Sequence, residues 1–410
     1  MICPYDIYLL PSLALLPSFA LLPSFALLPS FALLPSLALL PSLALLPSPA
    51  PFLLFTFLLF TFLLFTFLLF YFFTFMENPY VVQFPDIMQG KKIMYNHGFG
   101  SSASSGTVKR IRQTFPNAEV IARDIPLHPA DGIKMLREMV ASEKPDLIIG
   151  TSMGGMYTEM LYGVDRICVN PAFQMADTMK DHGMTGRQTW QNPRQDGETE
   201  FMVTKALEKE YKLMTDECFT ALEAMAPEEK AKEQQRVWGL FGDEDNLVHT
   251  WDIFRAHYPQ AVHFHGAHRM DDKSFLYGVV PVIRWIDDRQ EGRERQIVYI
   301  DSSCLADDYG KPKASLHKAF MTLIEKYQVY IVVPSPTNDH GTYADTAAWI
   351  EKYLSTPAHD HVIYCNQKQL LYGDFYIDMK PADNLLCTAI QLGSDDFKTW
   401  EEIITYFSRL

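Results

Sequence analysis

Short apolar strands alternate with amphipathic helices from residue 91 onward, and this alternation restricts the chain to an α/β fold. The segments "KKIMYNH", "AEVIARDI", "DLIIG" and "DRICVN" predict strands. Helices are predicted between them at residues 104–114, at "PADGIKMLREMVAS" and from about Met153. We therefore expect a mainly parallel sheet with helices on both faces. In such a sheet the reactive groups lie at the carboxyl ends of the strands.

Ser152 follows the third strand, in the segment "DLIIGTSMGGMY". The pattern G-x-S-x-G that it forms with Gly150 and Gly154 is typical of a nucleophilic serine on a tight turn between a strand and a helix. An ordinary strand-to-helix connection can carry the same glycines, so the pattern alone leaves both interpretations open. A nucleophilic serine also needs a base, an acid that orients the base, and donors for the developing oxyanion.

The loop after the first strand, "NHGFGSS", can supply an oxyanion donor. In serine hydrolases of this architecture, one backbone N–H comes from this loop and the other from the residue after the nucleophile. Those donors would be Phe99 and Met153 in this chain. We expect His97, which precedes a glycine in the same loop, to fix the loop rather than to take protons.

Candidates for the acid and the base follow further along the chain. A strand at residues 236–241 ends in "GDEDNLV", and "AVHFHGAHRM" is a strand that continues into a loop. The Gly-x-x-Asp-x-x-Val spacing favours Asp245 as the orienting acid; Asp243 is the second candidate, and Glu244 is expected in solvent. His268 is the leading base because it lies beyond the strand. The remaining histidines of this region are expected on the sheet face or on a helix surface: His249, His257, His263 and His265.

Together, "YNHGFGSSASS", "IIGTSMGGMYTEML", "ICVNPA", "GDEDNLV" and "GAHRM" resemble the small bacterial α/β-hydrolase esterases of the YqiA kind, over about residues 91–288. The resemblance implies an α/β-hydrolase fold and hydrolysis of small-molecule carboxylic esters, or thioesters, through an acyl-enzyme without metal or cofactor. It implies that His268 takes the proton of Ser152 and later activates water, and that Asp245 holds the imidazole in its productive tautomer.

An insert at about residues 172–235 separates the fourth strand from the acid-bearing strand. Insertions at this point often form a lid over the acyl pocket. A pair of surface helices explains the charged stretch "KALEKEYKLMTDECFTALEAMAPEEKAKEQQ" equally well, so both interpretations stay open. Four apolar residues could line a pocket or simply pack in the core: Met153, Met156, Phe173 and Trp190.

A second series of strands and helices follows the highly charged segment "DDRQEGRERQ", in which we predict a linker at residues 289–295. Strands are predicted at "IVYIDSS", "VYIVVPS", "HVIYC", "GDFYID" and "LCTAIQLG", and helices at residues 312–327, at "TYADTAAWIEKYL" and at the C-terminus. The predicted domains are therefore residues 76–288 and 296–410.

Residues 296–410 resemble the haloacid-dehalogenase-like (HAD-like) phosphatases, a Rossmann-like fold, and in particular the 5'(3')-deoxyribonucleotidases. The resemblance assigns Asp301 as the carboxylate that attacks the phosphate. It assigns Ser335 to a phosphoryl contact and Lys368 to neutralisation of the phosphoaspartate. The magnesium ligands that it implies are Asp301, Asp374 and Asp378.

Two departures from that family put phosphatase activity in doubt. The first motif of the family is D-x-D, and here Ser303 stands at the second aspartate, which normally protonates the leaving group. The last motif has paired acids, and here Met379 follows Asp378. We expect this domain to turn over little substrate and to bind a nucleotide or another phosphate compound, or to serve as a packing partner.

The first 75 residues differ from the rest of the chain. "LLPSFA" repeats with a period of six residues and "TFLLF" with a period of five, and no charged residue occurs between Asp6 and Glu77. We expect residues 1–75 to be translated repeat DNA upstream of a native start at Met76. The alternative is a membrane anchor at residues 52–75, which are apolar and proline-free over a sufficient length.

Charge and cysteine content narrow the functional classes. The formal net charge of −14 argues against non-specific nucleic-acid binding, which needs clustered Lys and Arg. The six cysteines form no C-x-x-C pair, so we expect neither a disulfide framework nor a zinc site, and a cytoplasmic location. Three hypotheses result: a serine ester hydrolase with a degenerate phosphatase-like domain, a magnesium-dependent 5'-deoxyribonucleotidase, or a non-catalytic ligand-binding protein.

Overall fold

The structure is a computed structural model that describes residues 82–308, 310–335, 341–354 and 356–410, together with Leu59 and Thr61. The expectations for residues 1–75 and for a start at Met76 therefore lie outside the described residues, apart from those two positions. Residues Val82–Leu410 pack as one unit. In the described ranges, every helix is too short or too polar to cross a bilayer.

The strands are, in chain order, β1 Lys92–Asn96, β2 Glu119–Ile121, β3 Leu147–Thr151, β4 Asp165–Val169, β5 Gly186–Thr189, β6 Glu200–Val203, β7 Val237–Gly242, β8 Ala261–Phe264, β9 Ile297–Asp301, β10 Gln328–Val333, β11 Val362–Tyr364, β12 Tyr372–Asp378 and β13 Leu386–Gln391. The α-helices are α1 Gly106–Thr114, α2 Pro129–Glu143, α3 Met153–Glu159, α4 Met175–Asp181, α5 Lys205–Glu217, α6 Thr220–Glu223, α7 Pro227–Gln234, α8 Trp251–Arg255, α9 Asp272–Ser274, α10 Val280–Glu291, α11 Leu316–Lys326, α12 Gly341–Leu354 and α13 Trp400–Phe407.

A six-stranded parallel sheet with the order β2-β1-β3-β4-β7-β8 organises the first module, which we define as residues 82–291. Successive residues of a strand point to opposite faces, and both faces are covered. Ile148 packs in a core with Leu136 of α2, whereas Ile149 packs in a second core with Val108 of α1. This is the predicted α/β-hydrolase architecture, with its strand ends at one edge.

The insert between β4 and β7 contains α4, the antiparallel hairpin β5–β6, and helices α5 to α7. Its apolar side chains are buried against the first module: Tyr211 of α5 is fully buried, and Phe201 of β6 is 9% exposed. The Phe201 ring meets the Phe99 ring edge to face at 5.3 Å. The insert therefore packs beside the loop after β1, which two isolated surface helices would not do.

The second module, residues 297–410, has a five-stranded parallel sheet with the order β11-β10-β9-β12-β13. Its larger core contains Ile300 of β9, Phe320 of α11 and Trp400 of α13. Helix α11 begins later than the predicted residue 312, because Ser315 before it has a left-handed φ of 61° that ends the preceding turn. The predicted strands are all present.

Helix α10 extends to Glu291, three residues into the segment predicted as a linker. After it, Arg295 forms an ion pair with Asp288 at 2.6 Å, so the connection is tied back to the helix. At the far edge of the first sheet, the Thr356 hydroxyl donates to the carbonyl oxygen of His263 in β8 at 3.1 Å. The second module thus covers the edge strand of the first sheet.

A buried charge network joins the insert to the strands beneath it. The Arg166 side chain of β4 has no exposed surface and pairs with Glu233 of α7. The Glu159 carboxylate of α3 accepts hydrogen bonds from Tyr258 at 2.8 Å and from the Phe219 amide at 3.2 Å. Burial raises the pKa of Glu159. The network is costly to disrupt because an unpaired charge would stay inside the protein.

We expect Glu233→Ala to lower the free energy of unfolding by about 3 kcal/mol, because it leaves the buried guanidinium of Arg166 without its partner. Glu229→Ala is the matched control, since Glu229 lies exposed on the same helix, and it should cost less than about 0.5 kcal/mol. Urea unfolding measures both values. Equal losses in the two variants would contradict a stabilising role for the buried pair.

Candidate active site

Ser152 stands on a sharp turn between β3 and α3. Its φ of 57° and ψ of −121° are unusual for a residue with a side chain, and such a conformation costs roughly 1–3 kcal/mol. A Cβ atom on Gly154 would lie 2.1 Å from the carbonyl oxygen of Asn96, and one on Gly150 would lie 2.1 Å from Thr158 Oγ1. The two glycines are therefore required by close packing, and the turn presents a strained serine, unlike an ordinary strand-to-helix connection.

His268 and Asp245 lie in line with this serine. His268 Nε2 is 3.0 Å from Ser152 Oγ, and His268 Nδ1 is 2.8 Å from Asp245 Oδ2. The ionised carboxylate accepts the Nδ1 proton, which leaves Nε2 free to accept the serine proton. The structure thus brings together three side chains that lie 116 residues apart at most.

The second oxygen of Asp245 is held by the backbone. Asp245 Oδ1 accepts the amide N–H of Leu247 at 2.8 Å and that of Val248 at 3.0 Å. Burial alone would raise the pKa of Asp245, but the hydrogen bond and charge of His268 together with these amides lower it below its usual value. The carboxylate is therefore ionised at neutral pH and oriented toward the imidazole.

The other acid and base candidates lie elsewhere. Asp243 does not reach His268; its carboxylate pairs with His265 at 2.5 Å. Glu244 is exposed, as expected. His263 stacks on the Trp251 ring at 4.0 Å. His249 is exposed. His257 pairs with Glu223 at 2.7 Å.

Asn170 is a residue of this site to which the sequence analysis assigns no role. It follows β4, between the strands that carry Ser152 and Asp245, and has a left-handed φ of 44°. Its side-chain Nδ2 donates to the carbonyl oxygens of Ala267 and His268 at 3.3 and 3.2 Å. Its Oδ1 accepts the amide of Gly242 at 2.7 Å. The sequence does contain a signal for this role, since the asparagine in "ICVNPA" directly follows a strand.

The loop after β1 passes beside Ser152. A Cβ atom on Gly98 would lie 3.3 Å from Ser152 Cβ. Among the residues that the structure describes, neither the amide N–H of Phe99 nor that of Met153 donates a hydrogen bond. Two unpaired amides next to the serine are what an oxyanion requires. The geometry is thus compatible with the predicted donors.

His97 fixes the peptide that carries the Phe99 amide. His97 is buried; its Nε2 accepts the amide of Ile125 at 2.9 Å, so its Nδ1 carries the proton and donates to the Gly98 carbonyl oxygen at 2.9 Å. The Gly98 carbonyl and the Phe99 N–H belong to one peptide plane. Burial lowers the pKa of His97 to about 4, so the ring is neutral at physiological pH.

The insert holds the same loop from the other side. The Gln191 amide donates to the Gly100 carbonyl oxygen at 2.8 Å, and Ser102 Oγ donates to the Pro193 carbonyl oxygen at 2.7 Å. The four side chains that could line a pocket are all buried in one core: Met153, Met156, Phe173 and Trp190. Their burial fits the packing interpretation.

A second group of predicted residues meets at the carboxyl ends of β9 and β12. Lys368 Nζ lies 2.5 Å from Asp301 Oδ2 and 2.7 Å from Asp378 Oδ2. Ser303 Oγ donates to Asp378 Oδ1 at 3.2 Å. Burial alone would lower the pKa of Lys368, but the two carboxylates raise it above its usual value. The ammonium therefore contacts both buried carboxylates and offsets part of their charge.

Asp374 does not belong to this group, which corrects the predicted magnesium set. It lies four residues before Asp378 on β12, roughly 13 Å away along an extended strand. Its carboxylate accepts the amide of Ile297, at the opposite end of β9 from Asp301, at 2.7 Å. Ser335 lies at the end of β10, where its Oγ is 2.6 Å from the Tyr343 hydroxyl.

Two carboxylates of the predicted magnesium set, those of Asp301 and Asp378, stay together at this edge of the sheet. Asp301 and Asp378 both bind the Lys368 ammonium, which occupies the space between them, and Ser303 brings no negative charge. Across the described ranges, no three His, Cys, Asp or Glu side chains converge as metal ligands would.

Comparison with known proteins gives two partial matches. The model of an uncharacterised protein family (UPF0227) matches residues 92–266, less than half of the chain, and includes Ser152 and Asp245 but not His268. A candidate 5'(3')-deoxyribonucleotidase of Vibrio phage KVP40 is 27% identical over 137 residues, which cover 33% of this chain and 77% of the phage protein.

Solved structures with a similar fold include Est1E from Butyrivibrio proteoclasticus, with a TM-score of 0.32, 14% identity, and coverage of 52% of this chain and 91% of that one. The Arabidopsis methylesterase MES16 has a TM-score of 0.28 and 12% identity, with coverage of 49% and 99%. The fold assignment rests on the strand order and connections of the first sheet rather than on these likenesses.

We expect the stability of the protein to fall between pH 6.5 and pH 4 in part because of His97. The folded-state pKa of about 4 lies below the ordinary value of 6.5, so the unfolded chain takes up the proton first, and stability is lost as the pH falls. The full contribution is roughly 3 kcal/mol.

Urea unfolding of the wild type and of His97→Gln at pH 7 and pH 5 measures this effect, and the variant should lose less stability between the two pH values. His182→Gln, at an exposed position, is the control and should follow the wild type. An identical pH dependence in the wild type and in His97→Gln would show that His97 is not held neutral by burial.

Proposed function

We propose that this protein is a serine-dependent hydrolase of small-molecule carboxylic esters that works through an acyl-enzyme. The observation that carries the proposal is the line of hydrogen bonds from Ser152 Oγ through His268 to Asp245, with lengths of 3.0 and 2.8 Å. The α/β-hydrolase architecture, which places these residues at strand ends, supports it.

The proposed reaction begins with the attack of Ser152 Oγ on the ester carbonyl carbon. His268 Nε2 takes the hydroxyl proton as the bond forms, and the amides of Phe99 and Met153 stabilise the negative oxygen that develops. His268 then gives the proton to the leaving alcohol. In the second half, His268 takes a proton from water as the water oxygen attacks the acyl carbon. The bond between that carbon and Ser152 Oγ then breaks, His268 returns the proton to Oγ, and the acid leaves.

Each part contributes a separable share of the rate. Ionised Asp245 keeps the Nδ1 proton on its side of the ring and stabilises the imidazolium that forms during attack. The left-handed φ of Ser152 keeps its hydroxyl at the head of helix α3, next to unpaired amides. Loss of an oxyanion donor or of one of the three side chains should each cost on the order of 10²-fold or more in rate.

We expect a fluorophosphonate probe to label Ser152, because the probe phosphorylates a serine that an adjacent base activates. Ser152→Ala should abolish labelling and lower the hydrolysis of p-nitrophenyl acetate and butyrate on the order of 10²-fold or more. Labelling is measured by intact mass, and hydrolysis by nitrophenolate release.

Ser104→Ala is the control, since Ser104 is an exposed serine of the neighbouring loop, and it should keep full labelling. Labelling at full strength in Ser152→Ala would reject the proposal. Failure of the wild type to react with the probe or with either ester would favour a non-catalytic ligand-binding protein instead.

A second candidate function concerns the second module: magnesium-dependent hydrolysis of deoxynucleotide 5'-phosphates. The meeting of Asp301, Ser303, Lys368 and Asp378 at one edge of the sheet favours it, as does the similarity to the phage protein. Two features oppose turnover. The Lys368 ammonium lies between the two carboxylates, and Ser303 stands where the family has the acid that protonates the leaving group. We propose that this module binds phosphate compounds with little hydrolysis.

We therefore expect no EDTA-sensitive release of phosphate from deoxynucleoside 5'-monophosphates, because the two carboxylates already share a cation. Phosphate release with magnesium, with and without EDTA, measures this. Asp301→Asn is the matched variant, and a residual rate that it leaves unchanged belongs to a contaminant. EDTA-sensitive release that Asp301→Asn removes would establish the phosphatase function.

A further inference from the structure

Two carboxylate–imidazole pairs cross the same gap between two loops. The acid loop, residues 243–248, follows β7, and the base loop, residues 265–268, follows β8. Asp245 pairs with His268 at 2.8 Å, and two residues earlier Asp243 pairs with His265 at 2.5 Å. The inner pair leads to Ser152, whereas the outer pair has no part in the proposed reaction.

The outer pair belongs to a set of contacts that fixes the distance between the two loops. Asp243 Oδ1 accepts the amide of Gly266 at 3.1 Å. The Asp243 amide donates to the Phe264 carbonyl oxygen at 3.0 Å, and the Glu244 amide to the Gly266 carbonyl oxygen at 3.0 Å. Asp243 therefore binds the base loop with both carboxylate oxygens, next to the pair that must stay aligned for proton transfer.

His265 extends this set of contacts into the second module. Its Nε2 faces the carbonyl oxygen of Lys352, near the C-terminal end of α12, while its Nδ1 faces Asp243. Both partners accept, so each ring nitrogen must carry a proton for both hydrogen bonds to exist.

We propose that His265 is a positioning residue of the candidate active site. Through Asp243 it holds the acid loop against the base loop, and through the Lys352 carbonyl it ties both to the second module. This inference rests on the proposed esterase function and adds a role for the second module in it. A misplacement of about 1 Å between reacting groups can lower a rate on the order of 10²-fold, so such a contact can control turnover without touching substrate.

Other charged groups surround this contact. A cavity of about 490 Å³ lies between the acid loop and helix α12. The ionisable residues that line it are Asp243, Asp245, His249, His263, His265, Glu351 and Lys352. His263 pairs with Glu351 at 2.8 Å. His317 lies close enough that the charge of His265 adds to the burial that lowers the pKa of His317.

His263 provides a matched control for His265. His263 lies in the edge strand β8 and His265 directly follows that strand, and both contact helix α12. His263 reaches the Glu351 side chain, whereas His265 binds the Asp243 carboxylate. A general loosening of the boundary between the modules would affect variants at both positions. A role in holding the acid loop would affect His265 alone.

The test measures p-nitrophenyl butyrate hydrolysis by the full chain at neutral pH, with rates divided by the concentration of fluorophosphonate-reactive serine. In His265→Gln we expect kcat to fall about tenfold at neutral pH with KM within about twofold, since alignment and not binding changes.

Asp243→Asn should reproduce the loss of His265→Gln, and the double variant should be no slower than either single one, because both remove the same contact. His263→Gln should retain wild-type kcat. The inference is overturned if His265→Gln keeps wild-type kcat per reactive serine, or if His263→Gln loses as much kcat as His265→Gln. In both cases the proposed esterase function still holds, provided that the wild type is labelled by the probe and hydrolyses the ester. A wild type that neither labels nor hydrolyses would overturn both.

Discussion

The close contact between helix α3 and strand β1 is the constraint on which the candidate site depends. The Cβ position of Gly154 lies 2.1 Å from the Asn96 carbonyl oxygen, so a side chain there would push the helix away from the strand. Contact this close brings the first turn of the helix, with the Met153 amide, beside the loop that carries the Phe99 amide. The environment of Ser152 is therefore set by backbone packing, and the side chains of the site are added to it.

The order of strands determines how the other residues reach this point. Ser152 follows β3 and Asp245 follows β7, and β4 lies between these strands. Asn170 stands at the end of β4 and connects the Gly242 amide with the carbonyl oxygens of the base loop. A side-chain amide can do this because it both donates and accepts. Asn170 thus connects the end of β7 with the base loop, which the hydrogen bonds of the parallel sheet do not join at this point.

The local sequence pattern predicts most of the strands and the residues at their ends. It does not predict contacts between side chains that lie on different strands. Ser152, Asp245 and His268 could be proposed because each follows a strand whose carboxyl end lies at one edge. The resemblance predicts Asp374 in a metal site from the motif around it, yet four residues of extended chain separate Asp374 from Asp378. The network around Arg166 and the pairing of Asp243 with His265 depend on partners 67 and 22 residues away, which no local pattern indicates.

Strand β8 lies at the edge of the first sheet, and the Thr356 hydroxyl from the second module covers its His263 carbonyl oxygen. An uncovered edge strand offers its backbone groups to strands of other molecules. Separation of the two modules by proteolysis or by gene division would thus leave the larger fragment prone to intermolecular sheet growth and aggregation. Selection for solubility alone would then keep the pair in one polypeptide, whatever chemistry the smaller partner retains.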